Sequence, residues 1–258
     1  MAQAVKIKHA SVSIVGAEAC SFLQSLLDQQ VVLAPSLVFD LELVATDHGL
    51  ELFWYKDQGK PLRFYLDFEK TAKQVRSFPA PKQGAFNQAL GKKTKSVIDA
   101  TGGWGGDALL MCLQGYQVCV IERLPLMATL LEEAFSRFSR SSWAKHNGIR
   151  APRVVYANAA ETLLDGQLVA DCVYLDPMFP AKRKKSAAVN KNMQLLQWLA
   201  GADLDAKETA DVAIANYSRV AIKRPDHAAP LIDMPASQFS SKLVHYDVYL
   251  NPLAITSS

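Results

Sequence analysis

Cysteine is scarce in this chain and dispersed. Cys20, Cys112, Cys119 and Cys172 form no Cys-x-x-Cys pair, and the last three sit in apolar segments. That pattern predicts buried thiols and argues against a disulfide framework or a redox motif. The five histidines (His9, His48, His146, His227, His245) are equally scattered, without the spacing of metal ligands, so no metal site is expected. No apolar run approaches the roughly 20 residues that cross a bilayer, and no membrane partner is expected. The amino terminus lacks the basic, apolar, small-residue order of a secretory signal, because Lys6 and Lys8 interrupt it early. A cytoplasmic location is therefore the expectation. An excess of one charge is also missing: 28 Lys and Arg against 25 Asp and Glu leave a net charge of only +3, which points to no partner.

The charge distribution says more. Lys92, Lys93 and Lys95 precede one apolar run, and Lys182-Arg183-Lys184-Lys185 follows another directly. At 258 residues the chain can form one large domain, or a main domain with a small appended one. Its texture changes near residue 90. Before that point Val5–Val15 alternates loosely, Ala17–Gln29 has helical spacing, and Leu37–Val44, Leu50–Tyr55 and Leu62–Phe68 read as strands. Thr46-Asp47-His48-Gly49 supplies a hairpin turn. Residues 1–90 are thus expected to form a small α+β unit with antiparallel strands and a linker, the latter holding a short helix at Ala85–Ala89. From residue 91 to 258 strand and helix alternate. Strands are expected at 97–100, 118–122, 153–156, 172–176 and 219–223, with helices between them and a late antiparallel strand at 242–250. This order predicts an α/β fold with a mostly parallel, doubly wound, Rossmann-like sheet.

The first of these strands exits as Asp99-Ala-Thr-Gly-Gly-Trp-Gly-Gly-Asp107. Its glycines allow a tight turn and close approach of a ligand, and the loop opens a helix whose first N–H groups are free. Glu122 ends the next strand, where a carboxylate can accept hydrogen bonds from both hydroxyls of a ribose. Gly103-x-Gly105-x-x-Ala108 formally satisfies the dinucleotide fingerprint, so a nicotinamide-dependent oxidoreductase is one reading. Asp99, Thr101, Gly103 and Gly105 also satisfy the acid-headed glycine pattern of S-adenosylmethionine enzymes. A carboxylate at that position repels a pyrophosphate and suits a ligand carrying an ammonium and a sulfonium, which favours the methyl donor.

The fourth strand runs into Asp176-Pro-Met-Phe179-Pro180. Pro177 removes a ladder donor and pushes Asp176 out of helical angles, so the strand stops where open α/β sheets keep their ligands. An isolated Asp-Pro strand exit needs no function. Beside a methyl-donor loop, however, Asp176 and the Pro177 carbonyl can accept the two N–H bonds of an exocyclic amine, and Phe179 can stack on its base. Lys182, Arg183, Lys184 and Lys185 are then placed to hold phosphates, although a solvated lysine loop explains them equally well. Trp104 can shield a cofactor or pack on the loop, and Arg123 can cover an adenine or face solvent. Lys223-Arg224 can contact RNA or simply end a strand.

Asp-Ala-Thr-Gly-Gly-Trp-Gly-Gly-Asp-Ala (99–108), Ile-Glu-Arg (121–123), Tyr-Leu-Asp-Pro-Met-Phe-Pro (174–180) and Lys-Arg-Pro-Asp (223–226) together resemble the RsmJ (YhiQ) family of bacterial 16S ribosomal RNA guanine-N2 methyltransferases. The resemblance covers roughly residues 80–250. It implies a class I S-adenosylmethionine-dependent methyltransferase acting on 16S ribosomal RNA or the small ribosomal subunit; a monomer is the separate expectation for the chain itself. Carried over, the family's cofactor contacts fall on Gly106 and Asp107, Glu122 and Arg123, Asn158 and Ala159, and Asp176. Gly106 stands where the family commonly has Arg, and Asn158-Ala159 replaces a small hydroxyl pair. A third reading, an RNA-binding module that keeps the fold without catalysis, remains open at this point.

Overall fold

The structure is a computed structural model and describes residues 3–7, 10–15, 40–56, 59–75, 77–178 and 190–254. The expected helix at 17–29 lies outside these residues. Two sheets organise the chain. The first has five strands in sequence order: β1 (Gln3–Ile7), β2 (Ala10–Val15), β3 (Leu41–Thr46), β4 (Gly49–Trp54) and β5 (Leu62–Tyr65). Thr46 pairs with Gly49 across the expected hairpin turn. Contrary to the antiparallel expectation, β2 and β3 run parallel, with Val12 opposite Leu41. The residues between them are far more numerous than a hairpin needs, which leaves the direction of pairing open to tertiary packing.

The strand expected at 62–68 stops at Tyr65. Asp67 Oδ1 accepts the Lys70 N–H at 2.9 Å and caps a short helix, α1 (Phe68–Ala72), so local side-chain capping ends the strand early. Next comes α2 (Gly84–Leu90), the short helix expected in the connection. It packs against the second sheet, where Arg219 Nε donates to the Ala89 carbonyl at 2.8 Å.

The second sheet has seven strands. They are β6 (Ser96–Asp99), β7 (Gln117–Glu122), β8 (Arg153–Tyr156), β9 (Cys172–Leu175), β10 (Arg219–Pro225), β11 (Ser237–Ser240) and β12 (Val244–Leu250), in the order β11-β12-β10-β9-β6-β7-β8. Strands β6 to β10 are parallel, and β12 runs antiparallel to β10. Five helices complete the alternation: α3 (Gly106–Leu113), α4 (Pro125–Arg140), α6 (Ala159–Asp165), α7 (Lys191–Ala200) and α8 (Ala206–Asn216). One more, α5 (Ser142–His146), was not expected from the sequence; the Ser141 hydroxyl caps it.

Side chains alternate across this sheet as the pleat requires. Val97, Cys172 and Tyr174 join the core under α2, α3 and α4, whereas Ile98, Val173 and Leu175 face α6 and α8. Helix α4 is buried on nearly every side because it lies between the sheets. Leu131, Phe135 and Phe138 pack on the seven-stranded sheet, and Leu126, Met127 and Leu130 pack on Val12, Leu41 and Leu52 of the other. The Arg137 guanidinium fixes the same junction, binding Glu133 Oε1 at 2.8 Å and the Leu66 carbonyl at 2.8 Å.

Strand order reverses between β6 and β9, which pair in parallel with Asp99 opposite Tyr174. The exits of these two strands therefore open side by side at the crevice where such sheets bind ligands.

Candidate active site

A cavity of about 480 Å³ occupies that crevice. Its floor is the loop from Asp99 to Asp107, and one wall is the β9 exit at Asp176, Pro177 and Met178. Two of the loop's glycines serve its own packing more than a ligand. A Cβ on Gly102 would lie 2.7 Å from Val120 Cγ1, and one on Gly105 (φ +73°) would lie 2.6 Å from Leu131 Cδ2. Both positions need glycine because the loop presses into the core. Gly106 differs: nothing lies within 4 Å of a Cβ there, consistent with the larger residue that the resemblance places at this position.

Asp99 is buried at the head of the loop. Its Oδ1 accepts the Thr101 N–H at 3.1 Å and the Thr101 hydroxyl at 3.3 Å. Burial, and then the neighbouring Asp107 charge, push its carboxyl up to about 7, with the Thr101 N–H opposing them. Thr101 Oγ1 in turn accepts the Asp176 N–H at 2.7 Å, tying the two strand exits together. Glu122 closes the second exit. Its oxygens accept the Gly103 N–H at 2.9 Å and the Leu124 N–H at 2.7 Å. Burial raises its proton affinity, and those two N–H groups oppose the rise. The bond to Gly103 shows how Glu122 shapes the loop as well as lining the cavity.

Several residues singled out in the sequence take unexpected partners. Arg123 neither lies free in solvent nor stands unpartnered over the cavity: its Nη1 binds both Asp205 oxygens, at 2.7 and 2.8 Å, and its Nη2 binds Asp203. Trp104 stacks on Phe64 with centroids 5.5 Å apart and donates from Nε1 to the Asn192 carbonyl at 2.9 Å, so it packs the loop against β5 and α7. Asn158 turns its side chain to the Glu161 N–H as the cap of α6, and its neighbours Ala157 and Ala159 line the cavity instead. Phe179, Pro180 and Lys182–Lys185 lie outside the described residues.

Lys223 is the residue that sequence reasoning misplaced. Its position in the sequence suggests a strand end or an RNA contact. Its ammonium instead sits inside the site, 2.8 Å from Asp176 Oδ2 and 2.9 Å from Asp107 Oδ2. Burial works against that charge, but Asp176 and Asp107 outweigh it and hold Lys223 above its ordinary range. Tyr174 donates its hydroxyl to the same Asp107 oxygen at 2.6 Å. Burial raises the Asp176 carboxyl above its ordinary value, and Lys223 opposes that rise. Asp203 was also missed; its backbone N–H and Oδ2 pair with the carbonyl and N–H of Met178, bracing the turn after Asp176. Lys223 opens the Lys-Arg-Pro-Asp segment, but its place between two carboxylates shows only in the fold; Asp203 stands in no motif at all.

The charge of the lining decides between ligand classes. Asp99, Asp107, Glu122, Asp176, Asp203 and Asp205 face three cationic side chains, Arg123, Lys223 and Arg224. A net acidic cavity repels a pyrophosphate and accommodates a cationic ligand, so these residues fit S-adenosylmethionine. Among the described residues, no cluster of His, Cys, Asp or Glu is arranged to hold a metal ion, and no helix is long and apolar enough to cross a membrane.

The fold and the acidic, glycine-floored crevice define a class I S-adenosylmethionine-dependent methyltransferase. The family model described as "Putative SAM-dependent methyltransferase" matches residues 27–251. The crystal structure of the SAM-dependent methyltransferase NGO1261 from Neisseria gonorrhoeae is similar in fold, with a TM-score of 0.67 and 23% identity, covering 95% of this chain and 97% of that one. Among curated relatives, ribosomal RNA small subunit methyltransferase J of Haemophilus ducreyi is 38% identical, over 87% of this chain and 93% of its own. The protein of the same name from Proteus mirabilis is 36% identical, over 81% of this chain and 86% of its own. The chain belongs to the ribosomal RNA small subunit methyltransferase J (RsmJ) family. That membership removes the support for the nicotinamide-dependent alternative.

Proposed function

We propose that this chain methylates the exocyclic N2 of a guanine in small-subunit ribosomal RNA. The observation that carries the reading is the parallel pairing of β6 with β9, which opens the glycine loop and Asp176 into one acidic cavity. The relatives named above as small-subunit ribosomal RNA methyltransferases support the substrate class. When bound, S-adenosylmethionine supplies an electrophilic methyl group. The chain's own work is alignment, the main requirement of an in-line displacement.

Asp99, Thr101, Gly103, Gly105, Gly106 and Asp107 form the floor against which the cofactor is held, with Glu122 at the ribose end and Ala159 beside it. Asp176 and the Pro177 carbonyl accept the two N–H groups of the target amine and hold its lone pair toward the methyl. They would also offset the positive charge that develops on nitrogen as its bond to the methyl carbon forms and the donor's carbon–sulfur bond breaks, the surplus N–H proton passing to solvent. We assign base stacking to Phe179 and the grip on the RNA backbone to Lys182–Lys185. A base in folded RNA must be turned out of its stack to reach this cavity.

The test is methyl transfer from labelled S-adenosylmethionine to small-subunit RNA purified from a strain lacking the gene, followed by mapping of the modified base. Incorporation at guanine N2 is expected. Absence of incorporation into that RNA, or a different modified atom, rejects the reading.

A further inference from the structure

The cation inside the site has a defined geometry that the proposed transfer chemistry does not yet use. Lys223 leaves β10 opposite Tyr246 of β12 and reaches across the crevice. Asp107 on α3 and Asp176 after β9 each offer it one oxygen, and Tyr174 steadies the Asp107 oxygen from below. Among the described residues none donates to Asp176 Oδ1, so one oxygen of that carboxylate is engaged and the other is free.

We propose that Lys223 is the positioning residue of the transfer site: anchored by Asp107, it keeps Asp176 ionised and turns Oδ1 toward the target amine. This rests on the proposed function for the identity of the amine, but the Lys223–Asp176 coupling itself does not. A neutral acid at position 176 would offer its proton where the amine offers its own, and the amine would lose its acceptor. Three groups oppose ionisation of Asp176: Asp107 on α3, Asp203 ahead of α8, and Asp99 at the end of β6. Tyr174 and Tyr246 flank the same space and are uncharged at neutral pH. Lys223 is the one cation bonded to Asp176 among the described residues.

Two substitutions should move the Asp176 titration in opposite directions. Lys223→Met keeps the length of the side chain and removes the charge. Asp107→Asn removes a repelling carboxylate and leaves Lys223 to Asp176 alone. The readout is the carboxyl ¹³C shift of Asp176 in the whole protein, assigned by its loss in Asp176→Asn. Relative to the unmodified protein, the midpoint should rise in Lys223→Met by about one pH unit, a tenfold change in proton affinity. It should fall in Asp107→Asn and return in Lys223→Arg. In parallel, kcat of Lys223→Met should drop about tenfold at pH values below both Asp176 midpoints and recover as pH rises above them, with KM for RNA little changed. A midpoint that stays put in Lys223→Met overturns the proposal. If that variant does not fold, a midpoint that fails to fall in Asp107→Asn overturns it instead. A protein that titrates as expected yet methylates no small-subunit RNA would refute the substrate reading and leave the coupling intact.

Discussion

Asp99→Asn should make this protein more stable at neutral pH, although it alters the head of the glycine loop. The folded chain holds the Asp99 carboxyl at about 7 against an ordinary value of 3.8. The folded state therefore binds this proton more tightly than the unfolded state does. By linkage, the contribution of Asp99 to stability is greatest below about pH 4, falls as pH rises toward 7 and is level above it. The full fall is about 4 kcal/mol, at 1.36 kcal/mol for each tenfold change in proton affinity. By the same relation about 3 kcal/mol of it falls between pH 5 and pH 8. Asparagine keeps the Oδ1 acceptor for the Thr101 N–H and cannot ionise. Urea unfolding followed by tryptophan fluorescence at the two pH values gives the comparison directly. The gap between variant and parent should widen by about 3 kcal/mol from pH 5 to pH 8, in favour of the variant. An unchanged gap, or a variant less stable at pH 8, would refute the claim that burial disfavours the ionised Asp99 carboxylate.

Gly105→Ala forces a Cβ against Leu131 and Phe68 at a left-handed φ and should cost about 2–3 kcal/mol in a urea melt. Gly106→Ala, with open space at the same test, should gain about 0.5–1 kcal/mol at the start of α3. Equal effects at the two sites would contradict the packing described for the loop. Arg137→Ala leaves the buried Glu133 without its counter-ion between the sheets and should cost about 3 kcal/mol, measured as a lowered urea midpoint. Asp176→Asn should reduce methyl transfer at least a hundredfold while S-adenosylhomocysteine still binds on calorimetric titration, on the scale of losing one preorganised transition-state contact. Near-parental turnover would remove Asp176 from the chemistry.

Local chemistry made much of the molecule legible. A proline after Asp176 ends a strand wherever it stands, glycines at 102–106 permit a tight turn, and alternating strand and helix patterns from residue 91 dictate a parallel sheet. These features follow from backbone sterics and apolar periodicity, which act over a few residues. They were enough to place Asp99, Glu122 and Asp176 at strand exits.

Other features depend on which strands become neighbours. The parallel pairing of β2 with β3, and the wedging of α4 between the sheets, follow from burial of whole faces that no single segment encodes. Arg123 turns to Asp203 and Asp205 because a loop some 80 residues later returns beside it. Asn158 caps a helix while its neighbours Ala157 and Ala159 line the cavity, a choice between two uses of one side chain that only the folded path decides. Lys223 is the sharpest case. As sequence it is a basic residue near a strand end; in the sheet, β10 lies beside β9, and its ammonium falls between Asp107 and Asp176. The sequence by itself determined the glycine loop, the Asp-Pro turn and the class of fold, because each rests on short-range geometry. Tertiary structure alone decided how the site's charges are shared, because electrostatic coupling depends on distances through space that separation along the chain does not record.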